Sequence, residues 1–385
     1  VEKRQLEKVF VSKVDEYDVQ KIKSELCASF DALAIDLSSF AGKKVVIKPN
    51  LIIKKSPDGA ATTHPAVIEA VISVLNDAGV RPVIAESPGG IYSAAHLKAS
   101  YRVCGIEDAV KDYDCELNLD VSSEIMEYRG DKASRSFDII KPIADADVII
   151  DVCKLKSHSL TKMSGAAKNL YGTIPGIIKF ELHAANPDIG SFSSMLCDLD
   201  RMLIGSKTII AITDGIVGME GEGPTGGTPK KIGALLVSRD VFASDVIAAK
   251  ILGLTVADVP LLAEAASRGL IPESADGIET LGENVDGVVL SDFVLPKSQS
   301  IGVLDFFSKG KMGEFFMPRP YVTNKCRACG ECVRSCPQKT IAIKKGRAKI
   351  DAKNCIRCFC CQELCPFVAI KTRRNPILNV INKIK

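Results

Sequence analysis

Nine of the chain's fourteen cysteines lie between Cys326 and Cys365, and their spacing is the most informative chemistry in the 385 residues. Cys326, Cys329, Cys332 and Cys336 are separated by two, two and three residues, with Pro337 next; Cys355, Cys358, Cys361 and Cys365 repeat the pattern, with Pro366, at an offset of 29. Soft thiolates select thiophilic centres, and three of them at two-residue intervals can wrap three corners of an iron–sulfur cube. The fourth, turned away at the proline, serves the neighbouring cube. On that rule one 4Fe-4S cluster takes Cys326, Cys329, Cys332 and Cys365, and a second takes Cys355, Cys358, Cys361 and Cys336. Cys360 is spare, because the register repeats only with Cys361. Structural zinc sites instead pair two Cys-x2-Cys units across a long spacer, without Cys-x3-Cys-Pro. Cysteines concentrated in one module also argue against a secreted disulfide scaffold.

A second set of polar residues lies upstream, at the expected carboxyl ends of strands, where open α/β sheets bind ligands. Lys48 and Asn50 follow the run Val45-Val46-Ile47. Thr63 and His64 precede Pro65 at a helix start, where free amides and the helix dipole favour an anion. Lys154, Lys156 and His158 end another apolar run, with Lys168, Asn169, Lys179 and His183 downstream, so three of the four histidines fall in these segments. The expectation is a pocket for a small anionic ligand, a carboxylate or phosphate. In it Lys154, Lys156 and Lys168 hold charge, and His158 or His183 delivers protons near neutral pH. Glu86 and Asp214 are the acidic strand ends. Asp214 opens a stretch with six glycines up to Gly227, whose Gly221-x-Gly223-x2-Gly226 resembles a dinucleotide fingerprint but meets Pro224 and Pro229 where a helix should open. That loop reads as a lid or a backbone cradle.

The elements that must position these residues read as an α/β body with a mostly parallel sheet, in one or two lobes, over residues 1–300. Strands are expected at Val45–Ile47, Val80–Ala85, Asp147–Val152, Thr208–Thr213 and Ala234–Val237, and helices from Pro65 to Gly79, Ser244 to Leu252 and Leu261 to Ser267. The polar, strand-poor stretch Asp108 to Arg135 suits an excursion or a lobe boundary. An aromatic connector over 301–320 leads to the small α+β cysteine module at 321–373, and a tail over 374–385 suits one amphipathic helix. Residues 318–373 carry 13 Lys and Arg against 3 acidic residues, a net +10, while residues 1–317 are at −10. A basic module is thus joined to an acidic body. No apolar run reaches the roughly 18 residues of a membrane helix, and Val1 to Glu7 has no apolar leader. A cytoplasmic chain without a membrane span is expected. The basic charge has no nucleic-acid recognition motif beside it.

With all eight ligand positions matched, residues 321–371 resemble a complete two-cluster bacterial ferredoxin domain, whose family shuttles single electrons. Upstream, Lys48-Pro49-Asn50, Thr63-His64-Pro65, Lys154-Leu155-Lys156-Ser157-His158, Gly165-Ala166-Ala167-Lys168-Asn169, Asp214-Gly215 and Gly221-Glu222-Gly223-Pro224 together resemble the prokaryotic family called domain of unknown function 362. The resemblance implies an iron–sulfur protein of anaerobe type and supplies no reaction. From the residues, the leading expectation is a reductase that passes single electrons from two 4Fe-4S clusters to an anionic substrate or cofactor in the body. A non-catalytic electron-transfer or maturation partner is the alternative, and a ligand-binding or isomerising enzyme with structural clusters is a third. An acidic redox donor such as ferredoxin or flavodoxin suits the basic module. A flavin is compatible with this reading but is not indicated by the sequence.

Overall fold

The apolar, β-branched runs expected as strands join one nine-stranded sheet. The computed structural model describes residues 8–130, 134–296 and 318–373. In chain order the body strands are β1 (Val9–Lys13), β2 (Val45–Pro49), β3 (Val83–Ile84), β4 (Glu116–Leu117), β5 (Ser123–Arg129), β6 (Ser134–Ile140), β7 (Val148–His158), β8 (Lys162–Ser164), β9 (Thr208–Glu220), β10 (Thr228–Ser238) and β11 (Thr280–Gly282). The nine-stranded sheet runs β11-β1-β10-β9-β7-β2-β3-β4, with β8 paired to β7. From β9 to β4 neighbours are parallel, whereas β10 runs antiparallel to β9 and β1 antiparallel to β10.

Apolar residues fill both faces. One core packs the helices Ile189–Ser206 and Val241–Ile251 on the sheet, and the other packs Val19–Ala32 and Pro65–Asp77. A strand covered on both sides reads as a continuous apolar run rather than an alternation. β7 is buried along its whole length, from Val148 to His158.

Helix ends follow local chemistry. Asp240 accepts hydrogen bonds from the amides of Phe242 and Ala243, so that helix opens at Val241, three residues earlier than apolar periodicity indicates. Asp108 to Arg135 is not strand-poor: it contains β4 and β5, and β5 pairs with β6 in a separate antiparallel ribbon. β5 has no clean alternation to read, because Ile125 lies on its exposed face beside Ser123, Glu127 and Arg129. β9 and β10 outrun the apolar segments expected of them, and the glycine-rich loop joins them as a hairpin.

The module comprises β12 (Arg319–Val322), β13 (Ile341–Lys344), β14 (Arg347–Ile350) and β15 (Ile370–Arg373), with one-turn helices at Glu331–Arg334 and Cys360–Glu363. β12 pairs with β15, and β13 with β14. The fold is therefore α/β with a small α+β iron–sulfur-type module. β12 opens within the span expected as connector; residues 301–317 of that connector and the tail at 374–385 lie outside the described residues.

Candidate functional site

The parallel strands leave β2 outward through β3 to β4, and the chain returns on the other side of β2 at β7. That reversal makes the crevice beyond the carboxyl ends of β2 and β7 the place where ligands bind in open α/β sheets. A cavity of about 80 Å³ lies there, lined among others by Asn50, Lys156, His158, Lys168, Lys179 and His183 of the body and by Cys360, Glu363 and Leu364 of the module. A single water needs only about 10–15 Å³ by this measure, so the cavity has room for a small ligand.

The body side is held by a chain of hydrogen bonds. Lys156 Nζ donates to Asn50 Oδ1 at 2.6 Å and to the Ala61 carbonyl at 2.5 Å. Asn50 donates to Asn169 Oδ1 at 2.7 Å, and Asn169 donates to Asp151 Oδ1 at 2.8 Å. Lys179 Nζ donates to the Ser87 carbonyl. The Lys168 side chain is half-buried and makes no hydrogen bond or ion pair among the described residues; its ammonium lies 5.9 Å from the centre of the Tyr171 ring. Among the described lysines that line the cavity, Lys168 is the cation free to meet a ligand.

Burial sets the protonation states. Desolvation, with Lys168 and Lys154 nearby, lowers Lys156 to about 7. Desolvation also lowers Lys179 to about 7, opposed by Glu86. His183 is pushed down to about 3 and His158 well below its ordinary value, both mainly by burial. Burial therefore favours the neutral form of both histidines near pH 7, whereas Lys156 and Lys179 lie near neutrality. His158 Nδ1 accepts the amides of Leu160 and Thr161, which places its proton on Nε2, 3.2 Å from Glu363 Oε1. His183 stacks on Phe192 with ring centres 4.2 Å apart.

Not every expected residue joins this cavity. Lys154 Nζ bonds Asp214 Oδ2 at 2.8 Å and Tyr17 Oη at 2.7 Å, fully buried. His64 stacks on Tyr17 at 3.5 Å, and its amide donates to Asp214 Oδ2 at 3.0 Å. The anion that the helix start at Pro65 calls for is thus the chain's own Asp214, and Lys154, His64 and Asp214 form an internally satisfied network. Lys48 is buried against Glu86, 2.5 Å apart. Thr63 Oγ1 donates to the Val152 carbonyl and accepts the Asn50 amide, pinning β2 to β7.

The module repeats itself in backbone as well as sequence. Left-handed residues recur at the same offset: Ala328 and Arg357, Gly330 and Phe359, Lys339 and Val368. The amides of Thr340 and Ala369 donate to Cys336 Sγ and Cys365 Sγ at 3.3 and 3.2 Å. One small cavity is lined by Cys326, Cys329, Cys332 and Cys365. Another is lined by Cys336, Cys355, Cys358 and Cys361, with Cys360 at its side. Amides aimed at sulfur stabilise thiolates; those of Ala348 and Ala328 hold Cys326 below its ordinary value. Donor set, grouping and amides fit two 4Fe-4S clusters.

The copies differ where the module meets the body. Gly330, Glu331, Val333, Arg334 and Ser335 become Phe359, Cys360, Gln362, Glu363 and Leu364. Leu364 and Cys360 pack with Ile53 and Phe180. Gln362 Nε2 donates to Ser159 Oγ at 3.3 Å, and Thr225 Oγ1 donates to the Glu363 carbonyl at 2.8 Å. The glycine-rich loop is a strut: Thr225 bonds the module, Lys55 donates to the Thr225 carbonyl, and a Cβ at Gly223 would strike the Ser157 carbonyl of β7.

Comparison with known proteins agrees with these features. The model of the family described as domain of unknown function, DUF362, matches residues 45–250. The chain belongs to this family. In this DUF362 protein a 4Fe-4S dicluster domain also matches, at residues 321–366. The thylakoid-associated protein sll1697 of Synechocystis is 33% identical over 242 residues, covering 61% of this chain and 71% of its own. Among solved structures, the lactate racemase apoprotein from Thermoanaerobacterium thermosaccharolyticum is similar at 15% identity and a TM-score of 0.33, over 55% of this chain. The chain spans about half of that protein, 52%. Among the described residues no helix is long and apolar enough to cross a membrane.

Sequence reasoning missed Tyr17, Tyr171 and the body-facing side of Cys360 and Glu363. Tyr17 lies far from its partners in sequence, and Tyr171 stands in a mixed polar and apolar stretch with no motif of its own. For Cys360 and Glu363 a signal existed: they sit where the second cysteine run departs from the first.

Proposed function

We propose that this DUF362 protein is an iron–sulfur reductase that acts on a small anionic substrate held between body and module. The observation that carries this reading is the shared cavity, in which Lys156 of β7 and Lys168 and Lys179 of the helices Ala166–Asn169 and Ile178–Ala185 line one side and Cys360 and Glu363, residues interleaved with the cysteines that would hold a cluster, line the other. Cys326, Cys329, Cys332 and Cys365 would hold one 4Fe-4S cluster, and Cys336, Cys355, Cys358 and Cys361 the other; such clusters supply single electrons.

The chain's own residues supply the rest. Lys168 binds the anion, and Lys156, held by Asn50 and the Ala61 carbonyl, donates a proton with a pKa near the working pH. His158 presents its Nε2 proton as a neutral hydrogen-bond donor. Leu364, Phe180 and Ile53 close the seam and exclude water. Anaerobic assays of candidate carboxylates and phosphate esters with a low-potential donor test the proposal. Lys168→Ala should raise KM roughly tenfold or more, the worth of a charged hydrogen bond. An unchanged KM, or no turnover with any anionic class, would refute it.

A further inference from the structure

We infer that the arginine-rich groove beside Cys355 docks an acidic one-electron carrier protein that charges the module; the inference rests on the iron–sulfur reading above. The groove, about 280 Å³, is lined by Arg319, Arg347, Lys349, Arg357 and Arg373, with Cys355 also in its lining, and among the described residues no acidic side chain contributes to it. It shares no residue with the cavity that holds Lys156 and Lys168. Electrons can therefore be received on one surface while a ligand occupies another.

The cations are arranged rather than scattered. Arg347 and Lys349 alternate on β14 and so point to one face, both exposed. Arg347 Nη2 donates to the Val322 carbonyl at 2.9 Å, and the Arg373 guanidinium lies 6.0 Å from the centre of the Tyr321 ring. Backbone and ring thus orient these guanidiniums without neutralising them. Cations used only for solubility have no reason to converge on a concavity, where they repel one another. Four of the five are arginines, whose planar forks match carboxylates. A transient redox contact is small and steered by charge, so a basic concavity beside a cluster ligand suits a carrier that presents carboxylates around its own redox centre. In each encounter the reduced carrier loses one electron and the cluster held through Cys355 gains it, with no proton transferred.

The test uses the full chain loaded with iron and sulfide under anaerobic conditions and a plant-type 2Fe-2S ferredoxin as the acidic probe. Calorimetry reads the affinity of the two oxidised proteins, and stopped-flow absorbance reads cluster reduction. Arg347→Glu and Lys349→Glu, combined, should weaken affinity and slow reduction by the probe at least roughly tenfold and flatten the salt dependence. Iron content and reduction by dithionite should stay as in the parent. Equal affinity and rate in the charge-reversed protein would overturn the inference. So would a parent affinity indifferent to salt, or binding of inorganic pyrophosphate in the groove that leaves the probe's affinity unaffected. Both readouts are taken without any pocket ligand, so a failure here is distinct from a failure to turn over an anion.

Discussion

Burial has brought Lys156 and Lys179 to about 7, so an anion that enters the cavity must draw protons onto them. Lys156 faces Lys168, Lys154 and Glu363, and Lys179 faces Glu86, Lys48 and Lys168. With values near 7, each lysine is only about half charged at pH 7 in the free pocket, and a bound anion favours the charged form. Affinity for sulfate, whose own charge does not change over this range, should therefore rise as pH falls from about 8 to 6, with net proton uptake measured by calorimetry in buffers of different ionisation heat. Lys154 behaves differently, because its partner is Asp214 rather than a ligand. Lys154→Ala leaves a buried carboxylate without its cation and should cost about 3–5 kcal/mol of stability, read as a lowered denaturation midpoint. The expectation grouped Lys154 and Lys156 in one anion pocket; the register shift between them in the pairing of β7 with β9, and the proximity of Tyr17, send them to separate networks. At the cysteines, Cys361→Ser should lose one cluster and Cys360→Ser should keep both, in iron analysis and EPR. The four-cysteine groups were legible because the run repeats without a gap.

At the scale of elements, the helix Cys360–Glu363 and the loop that meets it join the two parts of the molecule. Gly223→Val would drive a side chain into the Ser157 carbonyl, a backbone atom that cannot step aside. The loop would lift from β7 and take Thr225 with it. The expected cost is about 1–3 kcal/mol, and loss of the Thr225 contact to Glu363 should make the module more susceptible to limited proteolysis. The parallel strands and the Pro65 helix were legible because apolar runs, proline and glycine mark them locally. The β5–β6 ribbon and the long β9–β10 hairpin were not: β5 exposes Ile125 among polar residues, which blurs its alternation, and glycines in β9 are needed for close backbone approach rather than for a turn. Gly215 lies against the Ala234 carbonyl of β10, and Gly218 against Leu155 and Ile232.

Over the whole molecule, the acidic body and the basic module carry opposite net charges. The seam contains apolar packing of Leu364 with Ile53 and Phe180, together with hydrogen bonds from Gln362 and Thr225. Charge is left for other surfaces. What the sequence could not show is that the spare side of the second cysteine run closes a cavity in the body, because that depends on how two domains meet. Electron–nuclear double resonance on the reduced protein, with phosphorus-31 phosphate or carbon-13 carboxylate bound, tests this most directly. The expected result is a hyperfine coupling between the bound nucleus and the reduced cluster that disappears in Lys168→Ala. Calorimetric binding of the same anion with no such coupling would place the ligand away from the cluster and contradict the shared site.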